Sequence, residues 1–158
     1  MGAIGITVLL RVLLVEDFEP FRRFIWTTLQ KTELQIIAEV SDGLEAVRKA
    51  QELQPDLILL DIGLPGLNGI EAARRIRTLS PQSSILFVSQ ESSADVIEEA
   101  MNSGALGYVV KTQAASDLLA AVEAVREGRT FVSNRLALTQ PVPSRQVPST
   151  DPSPLLES

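Results

Sequence analysis

The chain has 158 residues, of which 45% are hydrophobic and 22% charged, and its formal net charge is −6, enough for one domain with a packed core and some tail. An acidic balance argues against an unaided nucleic-acid surface, because phosphate contacts need clustered Lys and Arg. With no cysteine and no histidine, the sequence excludes disulfides, thiolate metal sites, cysteine nucleophiles, histidine acid–base catalysis and a phosphohistidine on this chain.

The apolar start, MGAIGITVLLRVLLV, lacks a basic n-region and is interrupted by Arg11, so it reads neither as a signal peptide nor as a membrane span. Residues 1–9 are expected to be a short extension, and the protein cytoplasmic. Strand-like and helix-like patterns then alternate. A strand at 11–16 is followed by a helix near 18–31, with Pro20 in its first turn and Phe21, Phe24, Ile25, Thr28 and Leu29 at the spacing of one buried face. Trp26 lies off that stripe, where it is expected to pack in part or serve a protein–protein surface.

A second strand at about 35–40 leads to Asp42 and Glu45, the pattern of a helix capping box. Leu44, Val47, Ala50 and Leu53 are expected to form the inner face of the following helix. The apolar run Leu57–Leu60 ends at Asp61, and helix three, about 67–79, should bury Ile70, Ala73, Ile76 and Leu79 while Arg74, Arg75 and Arg77 face outward. Ile85–Val88 leads into Ser89, and Ser92-Ser93 cap a helix carrying Val96, Ile97, Ala100 and Met101. After Gly104, the strand Gly107–Val110 leads into Lys111, and a last helix at 114–127 packs through Leu118, Val122 and Val125. Residues 131–158 are expected to be a linker-like tail, since 140–158 hold five of the nine prolines, four serines and no apolar period.

Five β–α units imply a parallel sheet covered by helices on both faces. In such sheets the site lies beyond the carboxyl ends of the strands, which brings Glu16, Asp17, Asp61, Ser89 and Lys111 to one edge. Carboxylates at that distance repel unless a cation sits among them. Oxygen ligands without imidazole or thiolate favour Mg²⁺, with Mn²⁺ as the alternative. Taken alone, Glu16 and Asp17 are equally consistent with helix N-terminal charges complementing the macrodipole, and Ser89 with an ordinary helix-entry serine. The whole cluster fits phosphoryl transfer better. Asp61 suits a nucleophile, Lys111 a second positive charge, Ser89 a hydroxyl donor to a phosphoryl oxygen, and the backbone carbonyl of Gly63 a further metal ligand. Pro65 and Gly66 shape the turn after Asp61.

These residues resemble the receiver domain of two-component response regulators, over about residues 10–130. The segments RVLLVEDFEPFRR, SDGLEAVRKA, PDLILLDIGLPGLNGIEAARRIR, GALGYVVKTQAASDLLAAVEAV and FVSNRLA are most similar to the NarL/LuxR-type (FixJ-like) subfamily. The resemblance implies a doubly wound (βα)5 fold with strand order 2-1-3-4-5. It puts the phosphoacceptor at Asp61, the acidic metal pair at Glu16 and Asp17, the switch hydroxyl at Ser89, the lysine at Lys111 and the aromatic switch at Tyr108. It implies a sensor histidine kinase, a phosphotransfer protein or a small molecule as phosphodonor. It also implies a downstream partner at the face made by helix four, strand five and helix five, and leaves open a homodimer. Phosphorylation would draw Ser89 toward the phosphate and turn Tyr108 inward. Three departures matter: Thr112 follows the lysine where many receivers have proline, Gly63 offers no side chain near the phosphoryl group, and the helix-turn-helix output domain usual in the subfamily is not expected within these residues. A stand-alone receiver is therefore weighed against the receiver part of a DNA-binding regulator. A metal-dependent phosphatase fits less well, because Gly63 stands where such enzymes carry a second acid. A flavodoxin-like cofactor binder is disfavoured by the acidic first loop.

Overall fold

The computed structural model describes residues 9–133. Its elements alternate as the apolar runs predict: β1 (Leu10–Val15), α1 (Glu19–Leu29), β2 (Leu34–Val40), α2 (Gly43–Leu53), β3 (Leu57–Leu60), α3 (Gly69–Leu79), β4 (Ser84–Ser89), α4 (Ala94–Asn102), β5 (Gly107–Val110), a 3-10 turn (Lys111–Gln113), α5 (Ala114–Arg126) and β6 (Phe131–Val132). All strands pair in parallel, in the order β2-β1-β3-β4-β5-β6. The doubly wound α/β reading therefore holds, with one addition. Where five strands were expected, a sixth extends the sheet beyond β5, from residues assigned on sequence to the start of the tail. Phe131 and Val132 are an aromatic and β-branched pair that suits a strand, but two residues carry too little periodicity to announce one.

The sheet's period of two divides the core. Leu13, Val15, Ile58, Leu60, Ile85, Phe87, Tyr108 and Val110 face α2, α3 and α4. Val12, Leu14, Leu57, Leu59, Leu86, Val88 and Val109 face α1 and α5. Strands covered on both sides are apolar at every position, which is why β3 and β5 are buried throughout.

Helix starts are set by local chemistry. The Asp42 carboxylate accepts from the Glu45 amide at 2.8 Å, the Asn68 side chain from Glu71 at 3.0 Å, and Ser93 from Val96 at 3.2 Å. Each satisfies an otherwise orphaned amide, worth about 1 kcal/mol. α1 has no such side-chain cap and carries Pro20 in its first turn instead. Leu44 corrects an expectation: it is 53% exposed, because α2 meets the core through Ala46 and Ala50, with Val47 beside them, while Gly43 stands against the Leu67 carbonyl. Small side chains let that helix approach closely, so size and not hydrophobicity chose the buried stripe. Trp26 is exposed, as its place off the stripe of α1 indicated. Among the described residues no helix is long and apolar enough to cross a membrane. The expectations for residues 1–8 and 134–158 lie outside the described residues.

Candidate functional site

Parallel pairing puts the carboxyl ends of β1, β3, β4 and β5 side by side, and the side chain that follows or ends each strand is polar. The Glu16 amide continues the β1 ladder to the Val40 carbonyl at 3.1 Å, and the Asp61 amide continues that of β3 to Val15 at 3.1 Å. Both carboxylates are thereby fixed at the rim of the core. Glu16 is 1% exposed and Asp61 6%. Asp17, one residue further, is exposed. One oxygen from each of the three lies within 4.8 Å of the others.

Lys111 is the counter-charge. Its Nζ donates to Glu16 Oε2 at 2.9 Å and to Asp61 Oδ2 at 3.2 Å, with the stem shielded and the ammonium 4.7 Å from the centre of the Phe21 ring. Glu16 Oε2 also accepts from the Phe18 amide at 3.1 Å, and Asp61 Oδ1 from the Ile62 amide at 2.7 Å. A cavity of about 350 Å³ opens above these groups, lined by Asp17, Phe18, Asp61, Gly63, Ser89, Gln90, Glu91 and Lys111. The donor set fits a hard divalent cation: it is all oxygen, it is partly buried, and it has one solvent-facing carboxylate. A Cβ built on Gly63 meets nothing within 4 Å, so the cavity is open on that side.

The loop carrying Asp61 is anchored by backbone contacts. The Gly69 amide donates to Ile62 at 2.8 Å and the Gly43 amide to Pro65 at 3.1 Å, while Gly66 takes a φ of +80°, which favours glycine. A Cβ at Gly69 would stand 2.0 Å from the Asp61 carbonyl oxygen, and one at Gly43 1.8 Å from that of Leu67. Sequence reading missed both positions, although each is a glycine opening an amphipathic helix beside the loop. Phe21 was read as core packing alone, and nothing in its spacing pointed to Lys111.

Ser89 is buried at the end of β4, and its hydroxyl accepts from the Glu91 amide at 3.3 Å. Tyr108, expected to turn inward on activation, is already fully buried here and donates to the Glu91 carbonyl at 2.8 Å. Burial pushes its phenol up to about 12, so the hydroxyl remains a donor at neutral pH. Ser89 and Tyr108 thus meet the same residue of the loop after β4 from two sides.

Burial also raises the Glu16 carboxyl above its ordinary 4.5, against the opposing bond from Lys111 and together with the nearby Asp61 charge. A folded-state value above the unfolded one means that the neutral form favours folding. That contribution is fully present below 4.5 and is lost as pH rises through the raised value. Glu16→Gln, which fixes a neutral side chain there, is therefore expected to raise the melting temperature of the metal-free protein at pH 7 to 8. The gain should shrink as pH is lowered toward 4.5, which thermal melts from pH 8 down to that value will check.

The response regulator receiver domain family matches residues 12–123. The chain belongs to that family. Transcriptional regulatory protein LiaR of Bacillus subtilis is 33% identical to this receiver over 130 residues, 82% of this chain and 62% of LiaR. Chemotaxis protein CheY of Listeria monocytogenes is 31% identical over 115 residues, 73% of this chain and 97% of CheY. Among solved structures, a LuxR-family two-component response regulator from an Aurantimonas species superposes with a TM-score of 0.75 at 33% identity, covering 83% of this receiver and 94% of that chain. The receiver spans 55–62% of the length of LiaR and of the LnrK regulator of the same organism.

Proposed function

We propose that this receiver accepts a phosphoryl group on Asp61 in a Mg²⁺-dependent reaction and signals through a conformational switch to a partner protein. The observation that carries the reading is the Lys111 ammonium held between Asp61 and Glu16, at 3.2 and 2.9 Å, on the floor of an open polar cavity. A cation placed there in advance stabilises charge that develops during transfer without reorganising. An Asp61 oxygen attacks phosphorus, and the bond from phosphorus to the donor's nitrogen or acyl oxygen breaks with the electron pair leaving on the donor. Bound Mg²⁺ supplies positive charge that offsets the phosphoryl oxygens. Asp17, exposed at the cavity, Asp61 and the Gly63 carbonyl would hold the ion directly, and Glu16, buried and engaged by Lys111, would act through water. Ser89 donates its hydroxyl to a phosphoryl oxygen.

The donor is a histidine kinase, a phosphotransfer protein or a small acyl phosphate, since this chain has no histidine. The domain promotes its own phosphorylation and hydrolysis and is not a turnover enzyme. It acts in the cytoplasm, without direct nucleic-acid contact of its own. When Ser89 moves toward the phosphoryl group, the loop through Glu91 carries that movement to Tyr108. The face of α4, β5 and α5 then shifts between two populations. Because Tyr108 is already inside, the shift lies in its partner at Glu91 and not in a rotation from solvent. A second reading is favoured by the longer relatives, transcriptional regulators of which this chain spans about three fifths: the receiver part of a LuxR/NarL-type DNA-binding regulator, with self-association as one mode of output. Intact mass after incubation with acetyl phosphate tests the chemistry common to both. One phosphoryl adduct in Mg²⁺ and none with chelator is the expected result, and an adduct indifferent to the metal would overturn it.

A further inference from the structure

A two-residue edge strand such as β6 contributes little stability of its own. The next residue, Ser133, is nevertheless fully buried, and its hydroxyl accepts from the Val110 amide at 3.0 Å. The rungs before it are main-chain bonds: Phe131 N–H donates to the Leu106 carbonyl at 3.1 Å, and Ser133 N–H to the Tyr108 carbonyl at 3.0 Å. In an unbroken parallel ladder the next acceptor would be a main-chain carbonyl. Here a side-chain oxygen takes that place.

The Val110 amide matters because of where it sits. Val110 is the last residue of β5, and the chain passes there from strand into the 3-10 turn that begins with Lys111. The peptide joining them sets the point from which the lysine stem leaves the sheet. Toward β4 that end of β5 is held by pairing with Ser89. On the open side it is held by the Ser133 hydroxyl. Leaving a buried amide without an acceptor costs about 1–3 kcal/mol, and the backbone would shift to find water.

We propose that Ser133 is a positioning residue for Lys111: its hydroxyl fixes the hinge at Val110 so that the ammonium sits between Glu16 and Asp61. The inference rests on the phosphoacceptor reading of Asp61 and adds a residue that touches none of the reacting atoms. It also makes the segment after α5 part of the site's scaffold, because the residue that completes the β5 edge is the one from which the chain continues.

The test compares the full chain with Ser133→Ala, Ser133→Cys and Ser83→Ala. Ser83 is an equally buried serine at the opposite end of the sheet, whose hydroxyl donates to the Pro55 carbonyl, so it controls for lost stability alone. Ser133→Cys fills the site with a slightly larger side chain and offers only a weak sulfur acceptor, which serves if the alanine variant is unfolded. Two readouts are taken. The first is the rate of adduct formation with acetyl phosphate at saturating Mg²⁺. The second is the NMR position of the Lys111 ε-methylene, which the ring current of Phe21, its centroid 4.7 Å from the ammonium, is expected to shift from its free value. Both Ser133 variants are expected to slow the adduct about tenfold, the scale of a sub-ångström misplacement, and to move the methylene resonance toward its free value. Ser83→Ala should change neither while losing comparable stability. Unchanged rate and resonance in the Ser133 variants, or equal changes in Ser83→Ala, would overturn the proposal. If the wild-type chain forms no adduct, the phosphoacceptor reading fails, and the resonance alone still decides whether Ser133 holds Lys111.

Discussion

Gly69→Ala is expected to destabilise the domain by about 3 kcal/mol, the upper range for overpacking a buried site. Helix propensity alone argues the other way, since alanine in a helix is favoured over glycine by up to about 1 kcal/mol. Contact decides the sign. The new Cβ would meet the Asp61 carbonyl oxygen at 2.0 Å, its carbon at 2.8 Å and the Ile62 Cα at 2.8 Å, all backbone atoms that cannot rotate away. Real Cβ contacts essentially never fall under 3.0 Å, so α3 or the loop must move by about an ångström. The Asp61 backbone is tied to Val15 at 3.1 Å, and any shift that relieves the clash displaces the carboxylate or opens the core. A displacement of that size is worth roughly a hundredfold in rate where positioning governs the chemistry. Urea denaturation and the adduct assay read the two effects, and Gly63→Ala, built into open space, serves as the comparison in the denaturation alone, because Gly63 lines the cavity. A wild-type midpoint in Gly69→Ala would show that the close approach of α3 to the loop is not a constraint.

Lys111→Met is the second large effect. Methionine keeps an unbranched apolar stem for the Phe21 ring and removes only the charge. Two buried carboxylates then lose the ammonium at 2.9 and 3.2 Å. Removing one partner of a buried pair costs about 3–5 kcal/mol unless the remaining charge is neutralised, and Glu16, whose carboxyl is already raised, relieves it by taking a proton. Transfer suffers more than folding does. Loss of one preorganised electrostatic contact costs about 10²–10³ in rate, so the adduct should form about a hundredfold more slowly at saturating Mg²⁺. Undiminished formation would mean that the lysine only keeps the carboxylates from repelling each other in the metal-free protein.

Much of this was legible in the sequence because it rests on period and punctuation. The apolar runs 57–60 and 85–88 announce central parallel strands, and their polar ends announce the edge on which Asp61, Ser89, Glu16 and Lys111 meet. Three features stayed hidden, each for a physical reason. Leu44 is apolar yet exposed, because α2 packs through glycine and alanine and a hydrophobic count cannot see the distance of approach. β6 is too short for a periodic signal, and its anchor is a serine hydroxyl standing in for a backbone carbonyl. Gly43 and Gly69 matter through atoms far away in the chain, the Leu67 and Asp61 carbonyls, which no local pattern encodes.

Whether Asp61 carries the phosphoryl group is decided by intact mass of wild type and Asp61→Asn side by side after incubation with acetyl phosphate and Mg²⁺. A single phosphoryl adduct is expected on the wild-type chain, labile to hydroxylamine as an acyl phosphate is, and none on Asp61→Asn while its melting profile still shows a folded domain. An adduct that persists in a folded Asp61→Asn would contradict that role.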